Sequence, residues 1–76
     1  MALAFVLVNT EIGSESKVVK SLRKIDAVKE AYVVYGVYDI VAKVESETME
    51  NLKEIIRYKV RKQDKVHSTL TLIAVE

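Results

Sequence analysis

Hydrophobic periodicity alternates between the strand pattern and the helix pattern along the whole of this chain, and that alternation leaves few folds open. Ala2 to Val8 is a continuous apolar run of strand length, which implies burial on both faces. Glu11-Ile12-Gly13-Ser14 supplies loop chemistry, with Ser14 placed as a helix N-cap. Val18, Val19, Leu22 and Ile25 then recur at helical spacing, while Lys17, Lys20, Arg23 and Lys24 lie mostly off that stripe. This is an amphipathic helix of about three turns. Val28 to Tyr35 is rich in β-branched and aromatic residues and reads as a second strand. Gly36 breaks it, and Val37 to Val44 makes a third. A connection that short predicts an antiparallel hairpin.

Glu45-Ser46-Glu47-Thr48 opens a second helix, with Ser46 or Thr48 as cap and acids suited to the positive end of the helix dipole. Met49, Leu52, Ile55, Ile56 and Val60 form its apolar stripe, which carries the helix to about Arg61. Val66 to Val75 is the last strand. The order β-α-β-β-α-β predicts an α+β, ferredoxin-like fold: a four-stranded antiparallel sheet with two helices on one face, spanning residues 1–76 as one domain.

Both helices on one face leave the other face bare. The last strand carries Ser68, Leu70, Leu72 and Ala74 on one side and Thr69, Thr71, Ile73 and Val75 on the other. The first is apolar on both sides, Leu3, Phe5 and Leu7 against Ala4, Val6 and Val8. The third adds Val37 and Val41 to one side, and Tyr38, Ile40 and Val44 to the other. A chain of 76 residues buries only about 60% of its unfolded surface, and without cysteine it has no disulfide or thiolate metal site as a staple. An apolar second face on so small a domain predicts a symmetric dimer with sheet packed on sheet.

Lys and Arg number 12 and Asp and Glu 11, a balance unlike the strongly basic footprint of a self-sufficient nucleic-acid binder. No apolar run approaches the ~20 residues of a membrane span. The apolar start lacks the positive region of a signal peptide, so the protein reads as soluble and cytoplasmic. Few Asn and Gln among many Lys and Glu lean towards a thermophile's composition. Catalytic candidates are scarce. His67 is the only imidazole, and its neighbour Ser68 points to the opposite side of the strand. A surface or interface place suits His67 better than a base or a metal ligand. Arg57 to Lys65 is the densest basic cluster; a solvated helix C-terminus explains it, and a phosphate contact is the sharper alternative.

The hairpin Tyr35-Gly36-Val37-Tyr38-Asp39-Ile40-Val41 is the most informative stretch. An Asp in an otherwise apolar strand is costly to bury without a partner. Either Asp39 caps its own turn, or it awaits a cationic or amine ligand. Thr69 and Thr71 pose the same question on the last strand, although Thr is common in strands.

Gly36-Val37-Tyr38-Asp39 resembles the Gly-X-Tyr-Asp hairpin of the effector-binding (RAM) domain of the leucine-responsive/asparagine regulators, the Lrp/AsnC family. Val66-His67-Ser68-Thr69-Leu70-Thr71 resembles that family's Val-X-X-Thr-X-Thr opening of the last strand, and the element order agrees over the whole chain. The resemblance implies sheet-to-sheet dimers that assemble further into tetramers or octamers, with amino acids or related small molecules held between dimers. It implies an effector site of Gly36, Tyr38, Asp39, Thr69 and Thr71, in which Asp39 meets an α-ammonium and the threonines offer hydroxyls. Two positions depart from the family: Tyr35 replaces the usual Thr before the hairpin Gly, and Lys65 the usual Gly before the last strand. Both changes would narrow a pocket built on small residues.

The resemblance also implies a stand-alone form, since the family's N-terminal helix-turn-helix is missing from this chain and with it direct operator binding. The expected function is a ligand-sensing, oligomerising module. It would be no enzyme, need no cofactor, and modulate transcription by co-assembling with full-length Lrp-type regulators. The alternatives are a purely structural assembly module and a small dimeric α+β barrel enzyme of monooxygenase or isomerase type.

Overall fold

The computed structural model describes residues 1–75. Its elements are β1 (Ala2–Thr10), α1 (Glu15–Arg23), β2 (Val28–Val33), β3 (Ile40–Ser46), α2 (Met49–Ile55) and β4 (Val66–Ile73). The sheet order is β2-β3-β1-β4 with every neighbouring pair antiparallel. This is the ferredoxin-like arrangement that the periodicity predicts.

Alternation along β1 decides which face is covered. Ala2, Ala4, Val6 and Val8 are buried, together with Ile40, Ala42 and Val44 of β3 and Val28 and Ala31 of β2. Val18, Val19 and Leu22 of α1, and Leu52, Ile56 and Val60 of the second helical segment, complete this core. The sheet side is built largely from alanine and valine, whose short side chains let helices lie close. Each buried Val, Leu or Ile contributes about 1.5–3 kcal/mol of burial free energy.

The helix starts show how local chemistry sets boundaries. Thr48 is extended (φ −127°, ψ 155°), and its hydroxyl accepts the Asn51 backbone N–H at 3.1 Å. Ser46, the other cap candidate, is instead buried at the end of β3, where its hydroxyl accepts from the Asn51 side chain at 2.7 Å. Ser14 occupies the N-cap position of α1 without a capping bond from its side chain. After Ile55 the helix widens into a π-helical turn, Ile56–Val60, closed by the Arg61 N–H donating to the Ile56 carbonyl at 2.9 Å. That i→i+5 bond keeps Leu52, Ile56 and Val60, spaced by four, on the buried side.

Two expectations need correction. The connection between β2 and β3 is not a tight turn at Gly36 but a loop over 34–39, closed by the Val34 N–H donating to the Asp39 carbonyl at 2.8 Å. Val37 and Tyr38 therefore belong to that loop, and β3 begins at Ile40. The cause lies in Asp39, whose N–H is taken by the Val8 carbonyl of β1 at 3.0 Å, leaving the residues before it free of the β2 ladder. The bare sheet face is also less uniform than its leucines suggest. Phe5 lies opposite Leu72 on one side and Lys43 on the other. Lys43 pairs with Glu30 at 3.5 Å and Glu45 at 3.6 Å. Leu3, Leu7, Val41, Leu70 and Leu72 surround this ion cluster on the uncovered side.

Candidate functional site

Asp39 stands at the end of the sheet where β1 finishes and β3 begins. Its carboxylate Oδ2 accepts the Thr10 backbone N–H at 2.9 Å, and its own N–H donates to Val8. These two bonds bracket Asn9, whose side-chain amide donates to the Ser68 hydroxyl at 3.3 Å. A polar row thus crosses three strands, from β3 through β1 to β4. Asp39 neither caps its own turn nor stands unpaired: it continues the β1–β3 ladder with its side chain.

Thr69 lies opposite Val8 and Thr71 opposite Val6, on the far side of β1 from β3. Asp39 and the threonines are therefore two strand spacings apart across the sheet, roughly 9–10 Å, with Thr71 a further ~10 Å along it. Both threonines share the helix-covered face of the sheet with Val6 and Val8, and both are half-buried. Tyr38 is half-buried at the base of the loop, and Gly36 is exposed near its tip. A Cβ built at Gly36 meets nothing within 4 Å, so the backbone there is open to approach. The neighbouring Tyr35 is fully exposed and Val37 nearly so, which aims apolar surface outward at this end. One chain thus holds Gly36, Tyr38 and Asp39 in one place and Thr69 and Thr71 in another.

Thr71 lines a cleft of about 170 Å³ between the second helical segment and β4, with Lys53, Ile56, Arg57, Arg61 and Ile73. Reading the sequence misses Thr10 as the partner of Asp39, and Asn9 with Ser68 as a pair beside it. Only the strand register reveals them, and a polar residue at the end of each strand is the one signal that pointed there. Thr10 is 7% exposed, and its hydroxyl has no protein partner.

Elsewhere the ion cluster of the bare face carries one perturbed pair. The Tyr32 hydroxyl donates to Glu30 at 2.6 Å. That bond first, and the Lys43 charge with it, holds the Glu30 carboxyl below its ordinary value; the same bond, with the Glu30 charge, raises the Tyr32 phenol. Among the described residues no group of His, Cys, Asp or Glu is arranged to hold a metal ion. Nor is any helix long and apolar enough to cross a membrane. His67 is exposed.

The family model described as the Lrp/AsnC ligand binding domain matches residues 3–76. The regulatory protein AsnC of Haemophilus influenzae is 38% identical over 60 residues, covering 79% of this chain and 40% of that protein. The chain thus spans less than half the length of that curated relative. The crystal structure of FFRP-DM1 shares 44% identity at a TM-score of 0.94, covering 99% of this chain and 100% of that one. Hypothetical protein PHS023 from Pyrococcus horikoshii shares 43% at 0.93, covering 100% and 92% respectively. A feast or famine regulatory protein from M. tuberculosis, solved complexed with L-methionine, shares the fold at 22% identity and a TM-score of 0.80. It covers 100% of this chain, which corresponds to 51% of that protein.

Proposed function

The chain belongs to the Lrp/AsnC ligand binding domain family, and from that membership we propose that it senses an amino acid or related small molecule and oligomerises around it, performing no chemistry of its own. The observation that carries this reading is the 34–39 loop. Its backbone at Gly36 is open, and Asp39 at its base spends only one carboxylate oxygen on Thr10. The other oxygen is available to an α-ammonium. The L-methionine of the M. tuberculosis regulator is that protein's ligand; it supports an amino acid as the class to test here.

The separation of Asp39 from Thr69 and Thr71 favours a ligand shared between protomers, the loop of one meeting the threonine strand of another. Tyr35 and Val37 supply apolar surface for that contact. The half-exposed Leu70 and Leu72, with Phe5 between β3 and β4, supply the sheet-to-sheet dimer, and the loops link dimers into a tetramer or octamer. Lys43 reaches the dimer seam already paired with Glu30 and Glu45, which lowers the cost of covering it. Full-length Lrp-type regulators are the partners with the matching sheet face.

A barrel-type enzyme has less support. The bare face offers a cleft of about 90 Å³ lined by Phe5, Glu30, Tyr32, Val41 and Lys43, and its acid is already hydrogen-bonded to Tyr32. A purely structural assembly module would use the exposed Tyr35 equally well and is separated from the sensor by ligand binding alone.

Thermal unfolding with each of the twenty amino acids tests the sensor. A ligand at a hundred times its dissociation constant adds about 2.7 kcal/mol to native stability. A shift with one chemical class supports the reading, and no shift with any of them sinks it. Sedimentation showing a stable monomer at micromolar concentration would remove the assembly, and Leu72→Lys should produce that monomer.

A further inference from the structure

The cleft that holds Thr71 has a charge the family match leaves unexplained. Lys53, Arg57 and Arg61 come from its helical wall, Thr71 and Ile73 from β4, with the buried Ile56 beneath. Arg57 and Arg61 are four positions apart, across the widened turn. No carboxylate of the described residues makes an ion pair with either guanidinium, since the pairs present involve Lys43 and Lys65. Glu50 and Glu54 flank Lys53 and Arg57 on the next groove of the helix and soften the field there. Arg61 has Arg57 at the corresponding position one turn back. Two exposed guanidiniums at the rim of one small cleft, neither in an ion pair among the described residues, offer an anion two forks at once.

We infer that this cleft binds a small acid carrying two anionic groups, such as a dicarboxylic amino acid, with Arg57 and Arg61 pairing its carboxylates and the Thr71 hydroxyl completing the site. The inference rests on the effector reading of Thr71 and adds the class of effector. At neutral pH a monocarboxylic amino acid is a net-neutral zwitterion, whereas a dicarboxylic one keeps a net negative charge, which the Lys53, Arg57 and Arg61 side chains of the cleft complement. The planar guanidinium fork matches a carboxylate through two parallel hydrogen bonds, which a lysine cannot reproduce. The basic run from Arg57 onward thereby gains a use beyond the dipole of its own helix.

Calorimetry on the full chain in low-salt buffer at neutral pH tests this with matched pairs, L-glutamate against L-glutamine and L-aspartate against L-asparagine. Succinate and inorganic phosphate serve as anions without an α-ammonium. One acid should bind at least about tenfold tighter than its amide, a difference of ~1.4 kcal/mol. Arg57→Gln with Arg61→Gln should erase that preference, while Lys24→Gln, outside the cleft, should keep it. Thermal melting of each free variant verifies folding, and added salt should weaken the acid more than the amide. Equal binding of acid and amide, or an acid preference that survives the double substitution, overturns the inference and leaves the amino-acid reading standing. Succinate bound with no amino acid bound keeps the anion site and overturns the amino-acid reading. Phosphate bound without any dicarboxylate overturns the carboxylate assignment. Binding of none of these probes overturns the inference, and the other amino acids then decide the sensor.

Discussion

The Asp39 carboxylate accepts the Thr10 backbone N–H at 2.9 Å, standing in for a ladder carbonyl at the end of the sheet. A side chain with a structural bond and a proposed ligand bond calls for two substitutions. Asp39→Ala removes both, and should lower stability by about 1.5–3 kcal/mol, the worth of a hydrogen bond to a charged group. Asp39→Asn keeps an acceptor for Thr10 and removes the charge. Urea unfolding should place Asn within about 1 kcal/mol of the parent, while calorimetry shows its amino-acid affinity reduced about tenfold or more. Asn binding as well as Asp would take Asp39 out of the site.

The Thr10 hydroxyl is buried without a protein partner, although its backbone N–H is satisfied. Thr10→Val keeps the shape and removes the hydroxyl. The variant should match or exceed the parent's stability, by up to about 1 kcal/mol. A loss of more than that in chemical denaturation would mean the hydroxyl is paired.

Among the described residues Lys65 is the one non-glycine residue with positive φ, at 71°. Such a conformation costs a residue with a Cβ roughly 1–2 kcal/mol. Its carbonyl accepts the Glu11 N–H at 2.8 Å and its ammonium pairs with Glu11 at 3.5 Å, so the turn is held from both ends of the residue. Lys65→Gly loses an exposed ion pair and relieves the strain. It should raise the melting midpoint, with a net gain of about 0.5–1 kcal/mol.

Glu30 and Tyr32 set opposite limits on the pH range of the bare face. The Glu30 carboxyl titrates below its ordinary 4.5, so its contribution is present above that value and fades as pH falls through the lowered one. The Tyr32 phenol titrates above its ordinary 10.0, so the same bond persists below that value and is lost as pH rises through the raised one. Thermal midpoints recorded from acid to alkaline pH should show both edges. Tyr32→Phe should flatten each, and an unchanged profile would show the bond to be without consequence.

How far the sequence carried this reading depends on the interaction concerned. Val18, Val19 and Leu22, or the even positions of β1, announce their burial through spacing alone, because amphipathic period is a local property. Thr48 as a cap was legible for the same reason. The 34–39 loop was not. Gly36 marks a break, but whether the break is a tight turn depends on which strand claims Asp39, and that is decided by Val8 and Thr10 far away in the chain. The same holds for the ion cluster of Lys43 with Glu30 and Glu45, which only the pairing of β2 with β3 assembles. The five proposed effector residues came from motif resemblance, and their division into two groups follows only from strand order.

Antiparallel pairing of β1 with β4 sets Ala4 opposite Ile73, and the Ala74 N–H donates to the Leu3 carbonyl at 2.9 Å. The start of β1 and the end of β4 are thus neighbours at one pole of the sheet, while Asp39, Thr10 and the 34–39 loop occupy the other. A domain fused to either end would emerge behind the binding surface and leave the loops free to meet their neighbours. A circular permutant cut at Gly36, with the old ends joined by a short linker, would keep each ladder and carry its new ends into the seam. Such a chain should fold and pair sheet to sheet yet stop at the dimer, the stage that Leu72→Lys would already prevent.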